Sequence, residues 1–552
     1  MKWRIGALIS FFGILYLSLV FQLYNLQFNK NAFYEAKAAS QQVASGVLQP
    51  NRGTVYMVDK NGNRIPAILN KEFNLIYAVP KEVVDPSVAA LNISKILNIS
   101  LPETEQKLNK VRDQYEVLKF KASDDEVSAI KDLNIRGIYI KKQVGRYYPL
   151  GTLASQVLGY VSPANEAEQK ENEYMEQGRY GIEKQFNDEL TGSMGKIKGD
   201  QIVYPSDGKD ITLTIDRNIQ AQGEEIVKGL VEKWGAESGS VIVEEPKTGR
   251  ILAMGSYPTF DPNDYQSADM KNFINPVVQS VYEPGSVMKP ITMSAGIDTG
   301  KFTPDTVYND TGSVTLNRRT IRNWDHKAYG RTTITGVIEH SLNVGTAFAV
   351  KTMGQDIFKD YFFNKYAFKD KTGINLPGER DGNLESVEEG QDIAFATAGY
   401  GQGIAITPIK MVTAISAIAN HGMMMKPLIT DDEQPQELGR VVSEDTARKV
   451  TAMMVSAVYV NKLAEVQNYQ VAGKTGTAYV PRFGGRGYGD DVINSYEGYA
   501  PAYDPKFLVF VKLERPKGAP LAGETVVPAF RDLTQFILNY YNIAPDKPTG
   551  SS

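Results

Sequence analysis

The sequence predicts an α+β protein with one membrane-spanning helix ahead of its folded domains. Three observations support this prediction: an uncharged apolar run near the N-terminus, short strands mixed with helices after it, and a C-terminal part with strands at both ends and helices between them. At roughly 150 residues per domain, the 552 residues are enough for about three or four units. Hydrophobic residues make up 42% and charged residues 22%, a mixture that excludes a disordered chain.

The apolar run Ile5–Leu23 predicts a membrane anchor, because it carries no charge and is close to the ~20 residues that a spanning helix needs. Lys2 and Arg4 precede it, so the positive-inside rule predicts a cytoplasmic N-terminus. The alternative is a cleaved signal peptide, but the nearest small-x-small site, Ala36-Lys37-Ala38, lies well downstream. We therefore expect residues 1–24 to form a short cytoplasmic end and one uncleaved span, with the rest of the chain outside the cytoplasmic membrane.

Residues 25–205 mix short strands with helices and are expected to form a separate domain. A strand followed by Asn61-Gly62 is typical of a hairpin. Helical spacing of apolar residues appears in Pro86–Lys110 and Asp124–Leu133. The polar segment Gly195–Lys209, rich in Gly and Asp, indicates the boundary of this domain.

Residues 208–543 are expected to form a single α+β domain, because strands flank a mainly helical centre, Val287–Ala417. A short polar tail, 544–552, follows it. The strands and helices predicted outside the centre are Ile211–Ile215, Arg217–Glu232, Ser240–Glu244, Ile251–Met254, Gln470–Val480, Lys506–Leu513 and Phe530–Asn542.

Composition restricts the chemistry that this domain can perform. The chain has 60 Lys and Arg against 64 Asp and Glu, a formal net charge of −4, which argues against nucleic-acid binding through a basic face. Cysteine is absent, so neither disulfides nor thiolate chemistry can occur. With 3 His, a zinc site built by the protein is not expected. Catalysis would have to use mainly Ser, Thr, Lys, Asp, Glu, Tyr and backbone groups.

The first candidate catalytic pair is Ser286 and Lys289. Pro284-Gly285 before the serine favours a helix start, and the two side chains lie on one face at i, i+3. A serine attacks only when a base takes its proton, and a partly buried lysine can do this because desolvation lowers its pKa. Free N–H groups at the helix start could bind an oxyanion. A capping serine with a solvated lysine is the alternative for this pair alone.

A second cluster, Ser341 and Asn343, is predicted to lie in a loop, where a hydroxyl and an amide two residues apart can both face one cleft. Alone, this pair would indicate a turn or a helix cap. No Gly-x-Ser-x-Gly surrounds Ser286, so a hydrolase elbow is not supported. A Ser-His-Asp triad is a poor alternative, because His340, which directly precedes Ser341, has no recognisable Asp partner, and His326 and His421 are equally unpaired.

The third cluster is the run Lys474–Thr477, inside an alternating segment that predicts a strand. On a strand edge, Lys474 would supply positive charge, Thr475 and Thr477 would supply hydroxyls, and Gly476 would let a substrate backbone approach. A second Lys-Thr-Gly, Lys371–Gly373, lies in a polar, turn-rich segment and is predicted to be a loop outside the site. All three clusters in this order form the motif set known from penicillin-binding proteins and β-lactamases.

At these residues the chain closely resembles the class B penicillin-binding proteins, the monofunctional transpeptidases of bacterial cell-wall synthesis. The segments Tyr282–Ser286 and Ser341–Gly345 resemble the cell-division-specific branch, since the elongation branch more often has Asp in place of Asn343. Leu342 and Lys410 depart from the usual Ser and Gln, which weakens the branch assignment and leaves the chemistry intact. Further matching motifs are Arg52-Gly53, Arg146–Gly151, Leu158–Tyr160, Tyr180–Glu183, Leu213–Asp216, Gly401–Gly403, Thr407-Pro408 and Gly498–Pro501.

The resemblance implies an elongated pedestal domain of the dimerisation type at 25–205 and a transpeptidase domain at 208–543, with an antiparallel sheet and helices as in serine β-lactamases. It implies stem peptides ending in D-Ala-D-Ala as substrate, β-lactams as acylating inhibitors, and no metal or organic cofactor. It also implies contacts with a SEDS-family glycosyltransferase and other division proteins. No nucleic-acid partner is expected, and no acidic glycosyltransferase signature points to a bifunctional class A enzyme.

The resemblance also implies a role for each candidate residue. Ser286 would attack the penultimate D-alanine, and Lys289 would be its base. Ser341 and Asn343 would relay the proton and hold the peptide. The residues that would bind the terminal carboxylate of the substrate are Lys474, Thr475, Gly476 and Thr477. The backbone N–H groups of Ser286 and Thr477 would form the oxyanion hole.

Three alternatives stay open at this point. An elongation-specific class B transpeptidase would share every motif. A D,D-carboxypeptidase or β-lactamase would use water as the acceptor, but the large domain at 25–205 and the retained anchor favour transpeptidation. A β-lactam sensor of the same fold would need a cytoplasmic effector region, whereas only Met1–Arg4 precede the apolar run.

Overall fold

The structure is a computed structural model that describes residues 2–30, 47–48, 50–110, 113–163, 176–198, 201–388, 390–482, 487–518 and 521–547. Its internal contacts divide the chain into two compact units. The smaller unit is Ile68–Pro149, and the larger combines Met1–Ala67 with Leu150–Ser552. The site Ala36–Ala38 that was weighed for signal cleavage lies outside the described residues.

The predicted N-terminal helix is present. The α-helix Lys2–Tyr24 continues into a π-helical turn, Asn25–Asn29. The stretch Trp3–Asn29 has a mean hydropathy of 2.0 and is long and apolar enough to cross a membrane. Large apolar side chains such as Phe21 are exposed along it, which is the state expected of a helix whose partner is lipid.

The unit Ile68–Pro149 is a small α+β layer. Its strand Arg64–Ala78, from Ile68 onward, pairs antiparallel with Glu116–Ala122 and Ile138–Tyr147. Helices cover one face of this sheet, at Pro86–Leu97, Leu101–Leu108 and Asp124–Asp132. The helical prediction for Pro86–Lys110 is confirmed as two helices, because Asn98 is left-handed (φ 50°) and Ser100 caps the second.

In the larger unit, the strand Val55–Val58 precedes the predicted turn, where Gly62 has φ +78°. This strand pairs in parallel with Ile211–Asp216. The polar segment Gly195–Lys209, which is predicted to mark a domain boundary, contains a hairpin of Gly195–Lys198 with Gln201–Val203. The domain limits 25–205 and 208–543 stay predictions.

The core of the larger unit is a five-stranded antiparallel sheet, which confirms the predicted sheet type. Its strands, in spatial order, are Arg250–Tyr257, Ser238–Glu245, Phe507–Glu514, Tyr488–Ala500 and Ala472–Pro481. Helices Arg217–Trp234 and Val526–Tyr540 pack apolar side chains against one face. The helix Pro408–Ala419, buried along its whole length, also contacts the sheet. The strand Ala472–Pro481 lies at the sheet edge, as predicted for the Lys-Thr-Gly motif.

Helices and small strand pairs fill the remainder of the larger unit. The helices are Ser155–Leu158, Gly181–Gln185, Asn187–Thr191, Pro276–Gln279, Lys289–Asp298, Ile334–Glu339, Asn343–Met353, Gln355–Lys359, Glu385–Glu388, Asp392–Ala398 and Glu444–Asn461. Antiparallel pairs are formed by Val161–Pro163 with Glu176–Gly178, Val307–Asp310 with Gly330–Thr333, Ser313–Leu316 with Arg319–Arg322, and Met423–Met425 with Glu437–Arg440.

Two glutamates are buried within the five-stranded sheet. Glu244 and Glu497 are each 1% exposed, and burial raises the pKa of Glu244 to about 7. Burial, together with the nearby Glu244, raises the pKa of Glu497 well above its usual value. Both carboxyl groups are therefore held mainly protonated at moderately acidic pH, when they add no charge to the core.

We expect Glu244→Gln to stabilise the protein increasingly as pH rises from about 4.5 to about 7. The folded-state pKa of Glu244 lies above its unfolded value of 4.5, so the stability that the protonated acid permits is fully present below about pH 4.5 and is lost as pH rises through about 7. The amide mimics the neutral acid, so melting temperatures should match the wild type near about pH 4 and exceed it by a few degrees near about pH 8. The exposed Glu225→Gln is the control. A pH-independent difference for Glu244→Gln would contradict the buried titration.

Candidate active site

The turn that carries Ser286 is fixed from both sides. Tyr282 exchanges backbone hydrogen bonds with Ile406 at 3.0 Å, and Gly285 donates to the carbonyl of Gly401 at 3.0 Å. A 3₁₀ turn, Gly285–Met288, then leads into the α-helix Lys289–Asp298, which confirms the predicted helix start. Ser286 is half-buried, and within the described part of the chain its hydroxyl makes no hydrogen bond. That hydroxyl is accordingly available to an incoming group.

Lys289 is completely buried and points at the second motif. Its Nζ donates to the Ser341 carbonyl oxygen at 2.6 Å, to Ser341 Oγ at 3.2 Å and to Asn343 Oδ1 at 2.9 Å. Burial, and secondarily the charge of Lys474, hold the pKa of Lys289 well below its usual value. Three neutral acceptors satisfy the amine without a carboxylate that would keep it protonated. The arrangement suits a base.

Ser341 holds an unusual backbone conformation, with φ 56° in the left-handed region. For a residue with a side chain this conformation costs roughly 1–3 kcal/mol and is common at functional sites. Asn343, predicted to lie in a loop, is instead the first residue of the helix Asn343–Met353. Its Nδ2 donates to the Arg322 carbonyl at 3.0 Å, which turns Oδ1 toward Lys289.

Lys474 reaches the same serine from the edge strand. Its Nζ donates to Ser341 Oγ at 3.0 Å, to Thr475 Oγ1 at 3.1 Å and to the Thr475 carbonyl at 3.1 Å. Burial lowers the pKa of Lys474 to about 7. The Ser341 hydroxyl thus lies between two lysines, and a proton can pass between them through it.

Close backbone packing brings the edge strand against the nucleophile turn. A Cβ on Gly476 would lie 2.3 Å from Ser495 Oγ and 2.9 Å from the Pro284 carbonyl oxygen, so no side chain fits there. On the opposite side of the contact, a Cβ on Gly285 would lie 3.0 Å from the Thr477 carbonyl oxygen. The structure therefore brings all three predicted motifs together.

The second Lys-Thr-Gly lies in a loop, as predicted, and its polar groups are used locally. The backbone N–H and hydroxyl of Thr372 both donate to Glu379 at 2.7 Å, and Gly373 N–H donates to the same carboxylate at 3.1 Å. Lys371 is exposed. These bonds brace the loop. As for a metal, no group of three or more His, Cys, Asp or Glu in the described ranges could hold one.

Sequence reasoning missed two residues beside the nucleophile turn. Tyr488, on the strand paired with the edge strand, donates to the carboxylate of Glu283 at 3.0 and 3.3 Å. Glu283 stands three residues before Ser286, inside a segment that was recognised as a motif without a role for its acid. A carboxylate so close to a nucleophile was the available signal.

The residues 239–535 match the family model described as the penicillin binding protein transpeptidase domain. The chain belongs to the penicillin-binding transpeptidase family. The matched segment covers more than half of the chain and contains all three motifs. Residues 47–228 match a second model, the penicillin-binding protein dimerisation domain. The chain is thus a class B penicillin-binding protein with an enzymatic transpeptidase domain, as the sequence predicts.

Two curated relatives of this penicillin-binding transpeptidase show how far the similarity extends. The Stage V sporulation protein D of Bacillus subtilis is 31% identical over 87% of this chain and 76% of its own length. The Peptidoglycan D,D-transpeptidase FtsI of Escherichia coli is 28% identical over 91% of this chain and 86% of its own. Both alignments extend over most of each chain, and the likeness to FtsI supports the division-like branch.

Solved structures share the fold. Penicillin Binding Protein 2X from Streptococcus thermophilus superposes with a TM-score of 0.72 at 23% identity, over 90% of this chain and 81% of that one. A protein titled peptidoglycan synthetase from Bifidobacterium adolescentis gives a TM-score of 0.69 at 25% identity, over 92% and 98%. The N-terminal apolar helix together with the FtsI-like relatives makes this a membrane-anchored penicillin-binding protein.

Proposed function

We propose that this chain is a peptidoglycan D,D-transpeptidase that cross-links stem peptides during bacterial cell division and is acylated by β-lactams. The observation that carries the proposal is the shared hydrogen-bond network in which Lys289 and Lys474 both donate to Ser341 beside Ser286. Two lysines with lowered pKa values, neither of which has a carboxylate partner among the described residues, are suited to moving a proton and binding an anion.

Acylation would begin at the free Ser286 hydroxyl. Neutral Lys289 accepts its proton while Oγ bonds to the carbonyl carbon of the penultimate D-alanine. The backbone N–H groups of Ser286 and Thr477 stabilise the oxyanion. The C–N bond then breaks, the proton passes to the departing nitrogen, and terminal D-alanine leaves as an amine. An amine of a second stem peptide attacks the ester carbonyl and gives its proton to Lys289. The ester C–O bond then breaks as the new amide forms, and Lys289 returns the proton to Ser286 Oγ.

The edge strand would hold the terminal carboxylate of the donor peptide. Lys474 supplies the charge, Thr475 and Thr477 supply hydroxyls, and the absent side chain at Gly476 allows the strand to pack against the turn. A carboxylate bound beside Lys474 would raise the pKa of that lysine from about 7, so the substrate itself would help to protonate its anchor.

We expect Lys474→Ala to slow acylation by a labelled penicillin by about 10²-fold or more, because it removes a buried electrostatic group from the site. Lys371→Ala is the matched control: it alters the exposed lysine of the other Lys-Thr-Gly and should leave acylation nearly unchanged. Its free energy of unfolding should change by under ~0.5 kcal/mol, as for a surface substitution. The measurement is the second-order acylation rate of the full chain in detergent, and reversed effects would refute this assignment of the third motif.

The acceptor separates the proposed reaction from hydrolysis. Full-length protein given a thioester or pentapeptide donor together with an amine acceptor should release an amide in preference to the free acid. Mass spectrometry of the products measures this ratio. A product mixture that stays hydrolytic at every amine concentration would favour the carboxypeptidase alternative, and a lack of any turnover alongside acylation would favour the sensor.

The cellular side of the proposal includes topology and partners. The charges before Ile5–Leu23 support a cytoplasmic N-terminus and an extracytoplasmic catalytic domain. We propose a SEDS-family glycosyltransferase and other division proteins as partners of the anchored chain. A fluorescent fusion should concentrate at the septum of dividing cells, whereas labelling spread along the side wall would favour the elongation branch.

A further inference from the structure

Glu283 lies where three elements of the active site meet. Its own turn carries Ser286, the loop Tyr400–Gly403 lies on one side, and the hairpin of the edge strand with Tyr488–Ala500 lies on the other. Tyr488 donates to both carboxylate oxygens, and the backbone N–H of Gly403 donates as well. One side chain therefore connects its own turn to two segments that lie more than a hundred residues further along the chain.

The hairpin needs such a connection because it is the free edge of the sheet. Its outer strand, Ala472–Pro481, pairs on only one side. Tyr488 pairs with Pro481, four residues beyond Thr477 and away from the sheet centre. Tyr479, between these positions, is half exposed and packs little. A bond from Tyr488 to Glu283 therefore restrains the part of the hairpin that flanks Thr477.

The restraint acts across the oxyanion hole. A Cβ added to Gly285 would lie 3.0 Å from the Thr477 carbonyl oxygen, and a Cβ added to Gly401 would lie 2.3 Å from the Gly285 carbonyl oxygen. Any displacement of the hairpin changes the separation between the N–H groups of Ser286 and Thr477. Oxyanion stabilisation depends steeply on such separations.

The charge of the Glu283 carboxyl group determines the strength of its hydrogen bond to Tyr488. Burial raises the pKa of Glu283 to about 7, opposed by hydrogen bonds from Tyr488 and Gly403. The titratable groups that face it are the phenols of Tyr488 and Tyr400, while Lys289 lies 6.0 Å from the Tyr400 ring. Hydrogen bonds to an ionised carboxylate are about twice as strong as those to a neutral one.

We propose that Glu283 and Tyr488 are positioning residues for the acylation step: their hydrogen bond fixes the edge hairpin against the nucleophile turn and so sets the geometry of the oxyanion hole. The inference rests on the proposed acyl-enzyme chemistry at Ser286. It assigns a role to two residues that neither touch the reacting atoms nor belong to the three motifs.

The test is the acylation rate of full-length protein in detergent with a labelled penicillin, between about pH 6 and pH 8. Tyr488→Phe and Glu283→Ala should each slow acylation by about 5- to 20-fold, the effect of one hydrogen bond to a charged group. The double variant should be no slower than either single variant, because both remove the same contact. Tyr479→Phe, on the same hairpin, is the control and should react at the wild-type rate.

Glu283→Gln supplies the readout that a merely structural role would not change. It keeps an acceptor for Tyr488 and the size of the side chain, so it should fold and should nearly match the wild type at low pH. The ratio of wild-type to Glu283→Gln rates should increase as pH rises through about 7. A ratio that stays constant, or effects that add in the double variant, would overturn the positioning role. Wild-type protein that fails to form the Ser286 adduct would overturn the proposed function instead.

Discussion

Full-length protein with Ser286→Ala should not be labelled by a fluorescent penicillin, whereas the wild type should form a stable adduct. The hydroxyl is the only group at this turn that can form the ester, and alanine leaves Lys289 without a nucleophile to activate. The acylation rate should fall by about 10⁴-fold or more, below detection in a gel assay. Intact-protein mass spectrometry of the wild type should show the mass of one added β-lactam.

The control for this result is a serine elsewhere in the same domain. Ser267 is exposed and hydrogen-bonds only to Asp264 among the described residues, so Ser267→Ala should label at the wild-type rate. Peptide mapping should assign the added mass to the segment that contains Ser286. Adduct formation that persists in Ser286→Ala would mean that another nucleophile reacts, and the assignment of the first motif would be wrong.

The strands were predictable from the sequence where their buried positions carry apolar side chains. The strands Ser238–Glu245 and Phe507–Glu514 are apolar on both faces because helices cover the sheet, and such runs are read easily. The strand Tyr488–Ala500 went unpredicted, because its inward positions include Ser495 and Glu497, both about 1% exposed. Polar residues at core positions break the pattern on which sequence-based prediction depends.

The site was predictable as a set of residues and unpredictable as a geometry. Spacing predicted Ser286 and Lys289 at a helix start, and the structure has a 3₁₀ turn, Gly285–Met288, that leads into the helix Lys289–Asp298. The left-handed backbone of Ser341 follows from the packing around it, and no pattern in its neighbours signals it. The bond between Glu283 and Tyr488 joins residues 205 positions apart, so it depends on the tertiary fold alone.

Ser286 can react only when Lys289 can accept its proton, and this depends on the protonation state of the lysine amine. A protonated amine can donate one N–H group to each of the three acceptors around Lys289. It has no lone pair, so it cannot accept the serine proton. The neutral amine keeps two N–H groups and gains a lone pair. Complete burial favours the neutral form, because desolvation holds the pKa of Lys289 well below its usual value.

Replacing Lys289 should therefore impair acylation strongly and change its pH dependence. Lys289→Ala should lower the acylation rate by about 10²- to 10⁴-fold, the range for loss of a general base. Lys289→Arg should not restore it, because a guanidinium stays protonated and cannot accept the serine proton. The exposed Lys351→Ala, on the helix that begins at Asn343, is the control and should react normally.

The pH profile distinguishes a base from a residue that only holds Ser341 in place. Since the neutral amine is the active form, the wild-type rate should rise with pH through the depressed pKa of Lys289 and should fall again as Lys474 loses its charge above about pH 7. The residual rate of Lys289→Ala should lack the rising step, because the group that titrates there is gone. If the variant were slow but kept the wild-type profile, Lys289 would be a structural donor to Ser341 and Asn343. The proton of Ser286 would then have to pass to Lys474 through the Ser341 hydroxyl, the other route that this network offers.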